Sequence, residues 1–186
     1  LESVAKQVVE TELKDKVENL FAWFEPKPFA SASIAQVHKV TLHSGKRVSL
    51  KVQRLGIHDV ILEDIKAMYK IAEVLERRIP SLKNFDPIGI VKNFEESILK
   101  EIDFINESIN IQRFYNNIKN DKTLDQFAEA PKVYSAFTTS KVLAMEFISG
   151  IKINQIDKLK AKNIDTKVIA RRLTVSYFKQ IFEYGF

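Results

Sequence analysis

The chain has no cysteine, and among its 186 residues there are only five glycines, five prolines and a single tryptophan. Without cysteine there can be no disulfide framework, thiolate zinc site, iron–sulfur cluster or thiol nucleophile. The glycines (Gly45, Gly56, Gly89, Gly150, Gly185) stand too far apart for a Walker loop or a dinucleotide fingerprint, each of which needs several within a few positions. No apolar run approaches the ~20 residues that a bilayer-spanning helix requires, and the longest, Val142 to Ile148, is strand-length and carries Glu146. The chain opens Leu1-Glu2-Ser3 with no leader pattern, which predicts a piece of a longer protein whose targeting signal lies elsewhere. What remains is an ordinary globular composition, 45% hydrophobic and 28% charged, long enough to bury a core of its own.

The net charge of +5 is unevenly placed: between Lys152 and Lys179 eight basic residues face only Asp157 and Asp165. Such a segment suits an anionic lipid surface or is a solvated helix face. Aromatic residues do not interleave with it as nucleic-acid readers require, so no nucleic-acid partner is expected. His38, His43 and His58 do not make a ligand pattern, and no metal site is assigned to these residues.

Apolar spacing predicts an amphipathic helix from Leu1 to Phe24, ended by Glu25-Pro26-Lys27-Pro28, with Trp23 packing at its end. Val37 to Leu42 and Arg47 to Gln53 read as antiparallel strands joined by His43-Ser44-Gly45-Lys46. A helix from Ile57 to Ile79 follows, then a long one from Asp86-Pro87, an N-cap and first-turn proline, to about Phe114. Its expected seam is Ile98, Ile102, Ile105 and Ile109. Asn116 to Glu129 reads as a loop, Lys132 to Phe137 and Lys141 to Phe147 as strands, and Asn154 to Lys162 and Asp165 to Tyr184 as helices, with Gly185 as the stop. Strands that come in pairs favour an α+β fold over a doubly wound parallel sheet.

Two constellations suggest chemistry. Ala30-Ser31-Ala32-Ser33-Ile34-Ala35-Gln36-Val37 has the spacing of a kinase nucleotide loop, G-x-G-x-x-G-x-V, with alanine at each glycine position. Fourteen residues past Val37, Lys51 in Val48-Ser49-Leu50-Lys51 stands where a kinase keeps V-A-I-K. Small residues let such a turn approach phosphate oxygens, and the strand lysine supplies countercharge. Alanine disfavours positive φ, so this turn should hold another, stiffer shape than a glycine loop. Alternation puts Lys51 on one face with Ser49 and Gln53, opposite Val48, Leu50 and Val52. A surface lysine on an ordinary hairpin is the competing reading.

The second constellation lies in Glu101-Ile102-Asp103-Phe104-Ile105-Asn106-Glu107. On one continuous helix Asp103, Glu107 and Asn110 form a polar stripe; Lys100 can serve Asp103, whereas Glu107 has no basic residue a turn away and calls for an outside cation such as Lys51. A solvated acidic face competes with this, but a kinase fold requires such a lysine–glutamate pair. Met145-Glu146-Phe147-Ile148 leaves an apolar strand where a kinase has its adenine-binding hinge; alone it is simply a buried strand.

Together, Phe29 to His38, Lys51-Val52-Gln53, Glu101 to Glu107 and Met145 to Gly150 resemble the UbiB/ADCK (aarF-domain-containing) atypical kinase family, in order and spacing, from about Leu13 onward. The resemblance implies a protein-kinase-like N-lobe, a small antiparallel sheet with long helices, over residues 1–148, and the first helices of a truncated C-lobe over 149–186. It implies ATP with a divalent metal (magnesium), and a link to ubiquinone or other prenyl-lipid metabolism at an anionic or prenyl-lipid membrane surface, with a lipid-biosynthesis complex as a partner. A mitochondrial home is expected, with a plastid or a bacterial membrane as alternatives. By motif, Ala30, Ser31, Ala32, Ser33, Ile34, Ala35 and Val37 would cover the phosphates, Lys51 would hold them, Glu107 would pair with Lys51, and Met145, Glu146, Phe147 and Ile148 would be the hinge. Glu101 and Asp103 match the family's E-x-D element, which faces the lysine of a K-x-G-Q motif. No K-x-G-Q precedes the loop, and the catalytic-loop aspartate and D-F-G with its metal ligands are expected beyond Phe186, so this segment alone should not turn over ATP. The alternative is a pseudokinase scaffold with the same lobe and no catalysis.

Overall fold

Seven-residue alternation and a glycine at a tight turn build the centre of the molecule. In the computed structural model, which describes residues 2–185, β3 (Ala35–Thr41) and β4 (Arg47–Gln53) pair antiparallel over their full length, from Ala35 opposite Gln53 to Thr41 opposite Arg47. Gly45 takes φ of 79° in the connecting turn, a conformation open to glycine at little cost. β5 (Val142–Glu146) adds to the other side of β4, and two short strands, β1 (Trp23–Phe24) and β2 (Ala30–Ser31), share the outer edge of β3. The sheet is antiparallel throughout, in the order β1-β3-β4-β5 with β2 also on β3. Pro26 and Pro28 fall between β1 and β2, where a residue without an N–H interrupts an edge strand.

One face of this sheet is a hydrophobic core. Val40, Leu42, Val48, Leu50, Val52, Val142 and Ala144 are buried with Ala5, Val8 and Val9 of α1 (Glu2–Leu13), Val17 of α2 (Val17–Leu20), Phe21 and Phe24. α3 (Ile57–Arg78) and α4 (Pro87–Ile102) pack on each other, tied by a 2.7 Å hydrogen bond from the Tyr69 hydroxyl to Glu95. Asp86 caps α4, its carboxylate accepting the Gly89 N–H at 2.9 Å with Pro87 in the first turn, as the sequence predicts. α5 (Phe104–Asn120) follows, then, after β5, α6 (Ile156–Ala161) and α7 (Thr166–Phe182), the latter capped by Asp165.

The chain divides into two compact units, one running to Ile109 and including Val133–Glu146, the other Asn110–Lys132 and Phe147 onward. The second has its own small core of Ile118, Leu124 and Ala130, with Phe114, Tyr115, Phe127 and Tyr184 against it. Asp121, 9% exposed, organises this unit: its carboxylate accepts from Lys179 (2.8 Å), the Tyr184 hydroxyl (2.7 Å) and the amides of Thr123 and Leu124. Those bonds, the Lys179 ammonium first, hold the Asp121 pKa well below the ordinary carboxylate range.

Several sequence expectations fail, each for a local reason. The first helix does not run to Phe24; it stops at Leu13, and Asp15 draws the Lys16 amide and Asn19 onto its own carboxylate. Trp23 is therefore not helix-end packing: on a strand, alternation turns Phe24 into the core and leaves Trp23 outside, 49% exposed. Lys132 to Phe137 is not a strand. Only a bridge from Val133 to Met145 forms before a 3₁₀ turn, Ser135–Phe137, which packs the Phe137 ring against Phe21, centroids 5.5 Å apart and planes tilted by 41°. The expected loop from Asn116 is helical as far as Asn120, and Asp121 then closes a further 3₁₀ turn over Leu124–Gln126. The long helix predicted from Asp86 to Phe114 is broken at Asp103, which has extended backbone.

Candidate functional site

The break at Asp103 places the site. The carbonyl of Ile102 is claimed by the buried Gln53 side chain (2.7 Å), and the amide of Phe104 by the carbonyl of Ser140 (2.9 Å). These bonds replace the i→i−4 ladder that would have carried one helix through. As a result Phe104 is fully buried, while Ile105 and Ile109, expected in an apolar seam, are 39% and 58% exposed. Asp103 does not join Glu107 in a helical stripe either: its carboxylate caps α5 by accepting the Ile105 amide at 2.9 Å instead of being served by Lys100.

α5 brings Glu107 to the sheet. The Lys51 Nζ donates to its Oε2 at 2.6 Å, with side chains 21% and 33% exposed. The same ammonium lies 4.6 Å from the centroid of the Phe104 ring, within cation–π range. Lys51 is thus held by a carboxylate and an aromatic floor, and an ammonium with three donors keeps capacity for a further acceptor.

Cross-strand register aligns the rest. Ala30 lies opposite Val37, Val37 opposite Lys51, and Lys51 opposite Leu143, so these four form one row across the sheet. Directly opposed residues share a face, which places Lys51 with Ser49 and Gln53, away from Val48, Leu50 and Val52 in the core. β2 turns back into β3 through Ser33 and Ile34, closed by the Ala32 N–H donating to the Ala35 carbonyl at 2.8 Å. Neither central residue has positive φ. The two-residue turn leaves the Ser33 and Ile34 amides outside the ladder, just past the Ala35–Gln53 pair at the end of the hairpin.

The remaining expected positions are spread more widely. Glu101 is exposed on the last turn of α4, and among the described residues no ion pair links Glu101 or Asp103 to Lys51. Met145 and Glu146 end β5, opposite Ser49 and Val48, whereas Phe147 and Ile148 belong to the second unit. A cavity of about 900 Å³ opens next to this region rather than at Lys51, with Glu12, Gln53, Arg54, His58, Asp103 and Lys141 in its wall. Among the described residues no group of three or more carboxylates or histidines is placed to hold a metal. His38 is fully buried, stacked at 4.8 Å on Phe24 with Nδ1 against the Glu25 carbonyl. Sequence reasoning missed Phe104, Gln53 and Arg54. The first two stand inside motif segments, where only the break at Asp103 gives them their roles.

A small antiparallel sheet flanked by long helices, with a strand lysine paired to a helix glutamate, has the architecture of a kinase-like N-lobe. The chain belongs to the ABC1 atypical kinase-like family, whose model matches residues 2–186. It is 37% identical over 186 residues to the chloroplastic protein ACTIVITY OF BC1 COMPLEX KINASE 8 of Arabidopsis thaliana, covering 99% of this chain and 24% of that one. It is 36% identical over 188 residues to the probable protein kinase UbiB of Glaesserella parasuis serovar 5 (strain SH0165), covering 98% and 34%. Among solved structures, the complex of Rv3197 with erythromycin from Mycobacterium tuberculosis superposes with a TM-score of 0.68 at 28% identity, over 84% of this chain and 38% of that one. The chain thus spans about a quarter to a third of the length of these curated relatives.

Proposed function

We propose that this chain is the nucleotide-binding lobe of an ABC1/UbiB-type atypical kinase or ATPase, taking ATP with magnesium. The pairing of Lys51 with Glu107 at 2.6 Å, in register with the alanine turn, carries this reading. In it, Glu107 and the Phe104 ring fix the direction of the Lys51 ammonium, and Lys51 presents its remaining donors to the phosphates. The turn from Ala30 to Ala35 and Val37 covers them, with the Ser33 and Ile34 amides as further donors, and Met145 to Ile148 offers backbone groups to the adenine edge. Glu101 and Asp103 form the E-x-D element toward an inhibitory segment. Kinship with proteins named UbiB supports a role in ubiquinone or other prenyl-lipid metabolism at a membrane, with organellar and bacterial relatives both at hand. Among the described residues no helix is long and apolar enough to cross a membrane.

The test is nucleotide-dependent thermal stabilisation of the whole protein. At a hundredfold excess over Kd a ligand selective for the folded state contributes about 2.7 kcal/mol, roughly 5–10 °C in Tm for a unit of 150–250 residues that unfolds by itself and proportionately less for a longer protein that unfolds as one. Lys51→Ala should abolish that shift; an unchanged shift refutes the assignment of Lys51. Turnover of ATP by the whole protein then separates an ATPase or kinase from a scaffold that only binds nucleotide.

A further inference from the structure

The residue just past β4, on the same strand path as Lys51, reaches back to the alanine turn. The backbone N–H of Arg54 donates to the Ile34 carbonyl at 2.9 Å. Its Nε donates to the Ala32 carbonyl at 3.0 Å, and its Nη2 to the Ser31 hydroxyl at 2.8 Å. One residue thus makes three hydrogen bonds to the segment from Ser31 to Ile34, the part that the proposed function lays over the phosphates.

That segment has little else to hold it. β2 is two residues long, paired only to β3, and the segment before it is interrupted by Pro26 and Pro28. Ala30, Ser31, Ala32 and Ser33 are all exposed, so hydrophobic burial contributes little to their position. The planar fork of the guanidinium can span a carbonyl and a hydroxyl at once, which a lysine ammonium in the same place does less well.

We infer that Arg54 is a positioning residue that latches the alanine turn in place, so that nucleotide affinity depends on a side chain that need not touch the nucleotide. This rests on the reading of the turn and Lys51 as the phosphate site. The latch differs from a direct phosphate contact in one respect: it acts before any nucleotide arrives.

The experiment uses the whole protein as wild type, Arg54→Ala, Arg54→Lys and Lys51→Ala. Binding of a non-hydrolysable ATP analogue with magnesium is titrated, and amide hydrogen exchange over residues 31–36 is followed without nucleotide. Losing two side-chain hydrogen bonds should weaken binding by Arg54→Ala about tenfold, by lowering the fraction of free protein whose turn is ready to bind. Exchange at the turn should rise at least about tenfold while β4 amides stay protected, with Arg54→Lys intermediate for both readouts. Weaker binding with unchanged exchange overturns the latch and makes Arg54 a direct contact. Faster exchange with unchanged binding overturns it too, since the turn would then be held without consequence for nucleotide. Lys51→Ala separates the two readings: wild-type binding by that variant removes the phosphate-site assignment, whereas its loss of binding beside an unaffected Arg54→Ala removes the latch alone.

Discussion

Replacing Phe104 by leucine should cost more than a smaller side chain explains, because the ring is also the floor under a charge. Phe104 is fully buried, and the Lys51 Nζ stands 4.6 Å from its centroid with that side chain 21% exposed. Trimming the ring leaves a small void worth about 1–2 kcal/mol. A cation–π contact adds about 0.5–1 kcal/mol when exposed and about 2 when desolvated, so partial burial here supports about 1. Phe104→Leu should therefore destabilise by roughly 2–3 kcal/mol. In a Lys51→Met background only the packing part remains, and the coupling energy of the cycle should be about 1 kcal/mol. Glu107 loses its partner in both Lys51→Met arms, so that loss cancels. Urea unfolding, followed by the fluorescence of Trp23, the one tryptophan, on β1 of the same unit, provides the measurement. Additivity of the two changes to within about 0.3 kcal/mol would show that the ring does not hold the ammonium.

Two further outcomes follow from other contacts. Gln53→Leu removes the 2.7 Å bond to the Ile102 carbonyl and leaves a buried acceptor unpaired, which should cost about 1–3 kcal/mol and accelerate hydrogen exchange in the last turn of α4; a variant as stable as the parent would contradict it. Asp121→Asn keeps an oxygen for the Thr123 and Leu124 amides but loses the charge facing Lys179, and should cost about 2 kcal/mol at neutral pH. Since the Asp121 pKa is lowered on folding, its contribution is present above the unfolded value near 3.9 and is lost as pH falls through the folded one. The gap between parent and variant, read by far-UV circular dichroism in urea, should be level from about pH 5 to 8 and narrow below about pH 4; a gap that widens in acid would reverse the assignment.

The β3–β4 hairpin, the cap at Asp86 and the face that Lys51 shares with Gln53 were legible because each rests on short-range chemistry: alternation, a glycine turn, an aspartate before proline. The pairing of Lys51 with Glu107 was legible for a different reason, since Glu107 has no cation on its own helix and needed one from elsewhere. The break at Asp103 was not legible. Nothing in Glu101 to Glu107 disfavours a helix strongly, and the bonds that interrupt it come from Gln53 and Ser140, distant in sequence. Trp23 and Ser135–Phe137 were not legible either, because edge pairing to β3 and the packing of Phe137 against Phe21 outweigh local spacing. Arg54 left no signal, as a residue after a strand shows its reach only once the turn it grips is in place.

The most direct measurement is a crystal structure of the whole protein with a non-hydrolysable ATP analogue and magnesium. The phosphates are expected within hydrogen-bonding distance of the Lys51 ammonium, against Ser33 and Ile34, with Glu107 still paired to that lysine. Phosphates bound away from Lys51, in the cavity lined by Glu12, His58 and Lys141 or elsewhere, would contradict the account.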